Sequence, residues 1–228
     1  MYTLTAADFA DTGQWRLVLK IMRRGMEAWL ENTLHNEIPQ QQLCSAEWEE
    51  DDVKLLSNFE NAVFDNPRLL DDFATKIIIY DIKTLFIPSD IPELTDKSET
   101  DIYKNIYDGA TADIMSDRDG EITAAWTMVP GLRSFLLRTF PGARITCNLM
   151  EKVRSLRKSN KGIFLFGEVR EGETDIILLD NNQLKAASTR KTKKDTNQES
   201  MFREVAEAYG YSYSTINKQI EYNEDNKR

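Results

Sequence analysis

Histidine is almost absent from this chain: His35 is the only one in 228 residues, and the cysteines are two, Cys44 and Cys147. A zinc site built from His and Cys therefore lacks ligands. Any nucleophilic pair that needs an imidazole would have to use His35, which sits in the polar run ENTLHNEIP and reads as a solvated loop residue. The two cysteines stand far apart, in QQLCSA and ARITCNL, and read as reduced, mostly buried thiols. Long apolar runs are missing as well, and none approaches the roughly 20 residues that a membrane-spanning helix needs. The opening MYTLTAADFADTGQWR lacks the basic start and small-residue cleavage site of a secretory signal, so a cytoplasmic location is expected. Positive charge is in deficit, 29 Lys and Arg against 38 Asp and Glu, for a net charge of -9. That balance disfavours a nucleic-acid partner, because binding phosphates requires a surplus of cations on one face. The local basic set Arg190, Lys191, Lys193 and Lys194, with Arg154, Arg157, Lys158 and Lys161, has no interleaved aromatics and reads as solvated helix borders.

What is present is enough apolar content, 41%, for a well-buried core. Trp15 to Met22 alternates apolar and basic residues as a half-buried strand does, and Arg23, Arg24 and Gly25 make a turn. Met26 to Glu31 returns, and Gln40 to Trp48 is a third strand after Pro39. Glu49 to Asp52 place negative charge at the start of a helix whose apolar set is Val53, Leu56, Phe59 and Val63. Lys76 to Asp81 is the most buried-looking strand, and Leu85 to Ile87 extends or re-pairs with it before Pro88 and Pro92. Ser98 to Tyr107 is helical. Ala112 to Ser116 and Glu121 to Val129 form a hairpin about the turn DRDG. Helices over Leu132 to Phe140 and Leu149 to Lys158 flank a short strand, Ala143 to Cys147. Three strands follow, Ile163 to Arg170, Thr174 to Leu179 and Gln183 to Arg190, with turns at Gly172 and at Asp180 to Asn182. A helix from about Asp195 to Tyr209 precedes a polar tail, expected to fray. Trp15, Trp29 and Trp126 read as core; Trp48, Tyr211 and Tyr213 read as exposed aromatics that could mark a partner surface.

The order strand, strand, strand, helix occurs twice, in residues 15 to 107 and 162 to 209, which implies two copies of one unit. The segments TMVPGLRSFLLRTFPGARI, LMEKVRSLRKS and IFLFGEVREGETDIILLDNNQLKAAST resemble a bacterial family of unknown function with an actin-like ATPase fold. That family is similar to the PilM and FtsA proteins of the actin, hexokinase and Hsp70 superfamily. The resemblance implies an α/β, ribonuclease H-like architecture with mixed sheets and two related lobes. The first lobe would span residues 1–110, a connecting hairpin and helices 111–161, and the second lobe 162–210, truncated by a strand and helix, before the tail 211–228.

In that superfamily two hairpin turns bind phosphate. The first falls on Ile21 to Gly25, without the expected Asp. The second, of the type DxGxGTTD, falls on Val169 to Asp175: Gly172, Thr174 and Asp175 persist, Val169 stands where the acid would be, and Glu173 replaces a glycine. A carboxylate there repels phosphate. Arg23, Gly25, Gly172 and Thr174 are thus the residues of a weak nucleotide site at most, and no catalytic residue or metal ligand is assigned. The expectation is a non-catalytic module, with no cofactor, acting through an unidentified protein partner or by self-association. Residual binding of ATP and Mg²⁺ between the lobes is the alternative.

Overall fold

The computed structural model describes residues 12–35, 37–88, 98–107, 113–170, 172–193 and 197–222. The leader, Pro92, Glu171, Lys194, Asp195 and the terminal NEDNKR, all used in the sequence reading, lie outside the described residues. In chain order the elements are β1 (Trp15–Met22), β2 (Gly25–Asn32), β3 (Gln41–Glu47), α1 (Leu55–Asp65), β4 (Thr75–Tyr80), β5 (Leu85–Pro88), α2 (Glu99–Ile106), β6 (Asp113–Asp119) and β7 (Ile122–Met128). They continue with α3 (Leu132–Thr139), β8 (Arg144–Cys147), α4 (Asn148–Ser159), β9 (Ile163–Arg170), β10 (Glu173–Asp180), β11 (Gln183–Lys191), α5 (Gln198–Ala208) and β12 (Asn217–Tyr222). Two compact units result. One comprises Met1–Ile82, Tyr103–Asp117 and Trp126–Asn148; the other comprises Lys83–Ile102, Arg118–Ala125 and Leu149–Arg228. The segment 111–161, expected as a connector, is shared between them.

The first unit is built on a five-stranded sheet of order β3-β2-β1-β4-β8. β1 to β3 are antiparallel, and β4 lies parallel to both β1 and β8. The alternation in β1 buries Trp15, Leu17, Leu19 and Ile21 on one face. Gly25 opens β2 where a Cβ would meet the Ala46 carbonyl oxygen at 2.5 Å, so a side chain is excluded there. α1 buries Leu55, Phe59, Ala62 and Val63, and the Phe59 ring meets Phe135 of α3 edge-on at 5.7 Å. The acidic run does not start this helix as expected. The Asp51 side chain accepts a hydrogen bond from the Val53 amide and its carbonyl one from Lys54, making a separate turn. Val53 is left 90% exposed. β5 does not extend or re-pair with β4: it runs antiparallel to β7 in a three-stranded sheet of order β5-β7-β6.

The second unit carries a four-stranded sheet of order β11-β10-β9-β12. β9, β10 and β11 form an antiparallel meander, with Asn181 and Asn182 both at positive φ in the tight turn before β11. α5, whose N-cap Asn197 accepts from the Ser200 amide, lays Phe202, Val205 and Ala206 over Leu165, Val169, Ile176 and Leu178. Gly167 lies beneath Phe202, where a Cβ would come within 2.5 Å of the ring. The tail corrects the sequence reading, because Asn217–Tyr222 is the strand β12, parallel to β9. Ile216 and Ile220 anchor it against the α5 cluster. The repeated unit is therefore three antiparallel strands, a helix and a returning parallel strand, and the second sheet is one strand shorter than the first.

Candidate functional site

The two hairpins share one geometry. In each, eight-residue strands pair along their length, with Met22 opposite Gly25 in the first and Arg170 opposite Glu173 in the second. Position by position, Lys20 corresponds to Glu168, Met26 to Thr174 and Glu27 to Asp175. Arg23 and Gly25 thus share a turn in the first unit, and Gly172 and Thr174 belong to the hairpin of the second.

The first turn is committed to protein contacts. Arg23 and Arg24 both reach the Glu50 carboxylate, at 3.4 and 3.2 Å. The Trp48 indole donates to the Arg23 carbonyl and the Trp48 amide to that of Arg24. In the second turn Gly172 adopts a φ of +77°, and its carbonyl accepts from the Thr192 amide. Thr174 is fully buried with its hydroxyl lacking a hydrogen-bond partner in the structure. It shares its sheet face with Ile176 and Leu178 of the α5 core.

Val169 belongs to that same core, whereas its neighbour Glu168 is on the other side of the strand. It lies directly opposite Asp175 on the other face, in a row that continues to Thr189 on β11 and Glu221 on β12. Both acids are buried. Lys152 of α4 lies 3.2 Å from Glu168 and 3.6 Å from Glu221, and above the Phe166 ring. Asp175 takes Arg170 at 2.8 Å and the Thr189 hydroxyl at 2.5 Å.

A cavity of about 510 Å³ opens in the first unit beside Arg23. Tyr80 forms part of its lining and is 3% exposed. Burial first, then the Asp52 carboxylate, push its phenol up to about 12 against the opposing effects of Arg23 and a hydrogen bond to the Val129 backbone.

Three members of the basic set raised by the sequence are paired within the chain. Arg154 and Arg157 pair with Asp119, and Arg190 with Glu204. Trp48 is half-buried, and Tyr211 and Tyr213 pack against the α5 cluster. His35 is exposed and Cys147 buried, while Cys44 is half-buried.

A structure from Bacteroides thetaiotaomicron, a protein with actin-like ATPase fold and unknown function, superposes on 94% of this chain and 84% of its own, with TM-score 0.72 and 16% identity. The chain has an actin-like ATPase fold. Looser likenesses include a PilM-PilN type IV pilus biogenesis complex, with TM-score 0.40, 13% identity and coverage of 86% and 70%. An Aquifex aeolicus Ppx/GppA phosphatase gives TM-score 0.42, 6% identity and coverage of 86% and 62%. No protein-family model and no curated protein matches the sequence. The fold's name implies a nucleotide and its metal ion, and the hairpin acids that would be offered to a metal are paired with cations here. Among the described residues no group of three or more His, Cys, Asp or Glu could hold a metal ion. The hairpin acids already have counter-ions, and the retained threonine faces a hydrophobic core. No helix among the described residues is long and apolar enough to cross a membrane.

Proposed function

We propose that this chain is a non-catalytic actin-like module, a pseudo-ATPase that acts through a protein surface as an interaction or assembly factor. The observation that carries this reading is the pairing of the hairpin acids, with Lys152 on Glu168 and Arg170 on Asp175. A metal ion would have to displace ammonium and guanidinium groups from partly buried sites, and breaking such pairs is costly. In the first hairpin the corresponding position is Lys20, paired with Asp81 at 3.5 Å, a cation where metal binding needs an acid. A role through protein contacts draws support from Phe64 on α1 and Leu137 on α3, large apolar side chains left 62% and 53% exposed.

Titration calorimetry with Mg²⁺-ATP, alongside a phosphate-release assay, tests the reading. No saturable heat at high micromolar nucleotide and no released phosphate are expected. Saturable binding would favour instead the alternative of a weak nucleotide-binding protein, for which the candidate groups are Arg23 and Gly25 in the first unit and, separately, Gly172 and Thr174 in the second. Light scattering at tens of micromolar protein tests self-association separately, and a clean monomer would remove that part of the proposal.

A further inference from the structure

The cavity in the first unit is assigned no role by the fold or by the reading above. Its walls are mostly apolar, from Val53, Leu56, Ile82, Met128, Val129 and Pro130. Its size, about 510 Å³, falls in the range of pockets that enclose small organic ligands. Two charged side chains line it, Arg23 and Asp52, and they are not equivalent. Arg23 has its counter-ion in Glu50, whereas Asp52 has no ion pair or hydrogen bond among the described residues. The unmatched charge of the lining is therefore negative, carried by a solvent-exposed carboxylate beside the apolar walls. Tyr80 reports the same balance, because Asp52 acts on its phenol more strongly than Arg23 does.

From this geometry we infer that the cavity is a binding site for a small amphipathic amine: a compact apolar body that fills the space between Leu56, Ile82 and Val129, and one protonated amino group that pairs with Asp52. The inference does not rest on the proposed protein-interaction role. It also separates this site from nucleotide binding, since a field that attracts an ammonium repels a triphosphate.

The probes are three molecules of matched shape, 2-phenylethylamine, 2-phenylethanol and 3-phenylpropionate, titrated into the full chain and followed by amide chemical shifts. Phenylethylamine is expected to saturate with a dissociation constant on the order of 1 mM, as befits a ligand of its size. The largest shifts should fall at Leu56, Ile82 and Val129. The alcohol should bind more weakly and the propionate weakest. Asp52→Asn should weaken amine binding about fivefold, the effect of one partly exposed charge pair. Arg23→Gln, which removes the opposing cation, should strengthen it. The opposite signs keep the test independent of any general disturbance of the fold. Propionate binding as tightly as the amine, shifts clustered away from the cavity, no saturation by any probe, or a loss of amine affinity in both variants would each overturn the inference.

Discussion

Two residues before the turn, β1 carries Lys20 and β9 carries Glu168, on backbones with the same strand lengths and the same register. Across the hairpin the contrast continues. Glu27 is exposed, while its counterpart Asp175 is 2% exposed and paired with Arg170. On the opposite face Met26 and Thr174 are both fully buried. One backbone thus supports a half-buried lysine paired with Asp81 opposite an exposed glutamate in the first unit, and a buried row of acids with its own cations in the second. Burial decides which charges matter: an exposed charge is solvated whatever its neighbour, whereas a buried one requires a partner. The counter-ions on Glu168 and Asp175 are accordingly part of how the second unit is held together.

The contrast between Leu19 and Gly167 is the steepest. Leu19 is fully buried in β1; at the matching place in β9 the Phe202 ring fills the volume and leaves room only for glycine. Gly167→Leu is expected to cost about 3 kcal/mol or more through overpacking, read as a lower denaturation midpoint in guanidinium. An unchanged midpoint would mean that α5 does not sit where the second unit needs it. The next effect separates the paired acids. Asp175→Ala should cost about 2 kcal/mol, because Arg170 loses its buried partner, while Glu27→Ala should stay within about 0.5 kcal/mol. Equal losses in the two variants would erase the distinction between a buried, paired acid and an exposed one.

Much of this fold is legible in sequence because its strands are amphipathic. WRLVLKIM and IFLFGEVR display their apolar positions directly, and Asp180–Asn181–Asn182 displays the chemistry of a turn with positive φ. β12 is not legible in the same way. NKQIEY has a single aliphatic residue, and its place is set by parallel pairing with β9 together with the anchoring of Ile216 and Ile220. Val53 fits helical periodicity yet is exposed, because a side-chain hydrogen bond to Asp51 diverts the chain before α1 begins. Val169 and Glu168 are neighbours on opposite faces of β9, so a shift of one position exchanges a core residue for a charged one. The cavity is the least legible feature, since Arg23, Asp52, Tyr80 and Val129 come from four separate segments and only the fold assembles them.

Thr174 is where the two hairpins make their smallest and most discriminating contrast. Its resemblance to a phosphate-binding hydroxyl comes from the sequence motif; its environment resembles that of Met26, a fully buried apolar residue at the matching position. The Thr174 hydroxyl is buried without a hydrogen-bond partner, and a polar group in that state opposes folding. Replacing it with a methyl group removes the penalty and keeps the β-branched shape that a strand favours. Thr174→Val should therefore raise stability by up to about 1 kcal/mol, measured by urea denaturation, whereas a hydroxyl engaged in a hydrogen-bonded phosphate cradle would make the same change destabilising. A gain places Thr174 with Met26 as a core residue on a retained backbone, and a loss of similar size would return it to the binding turn and weaken the non-catalytic reading with it.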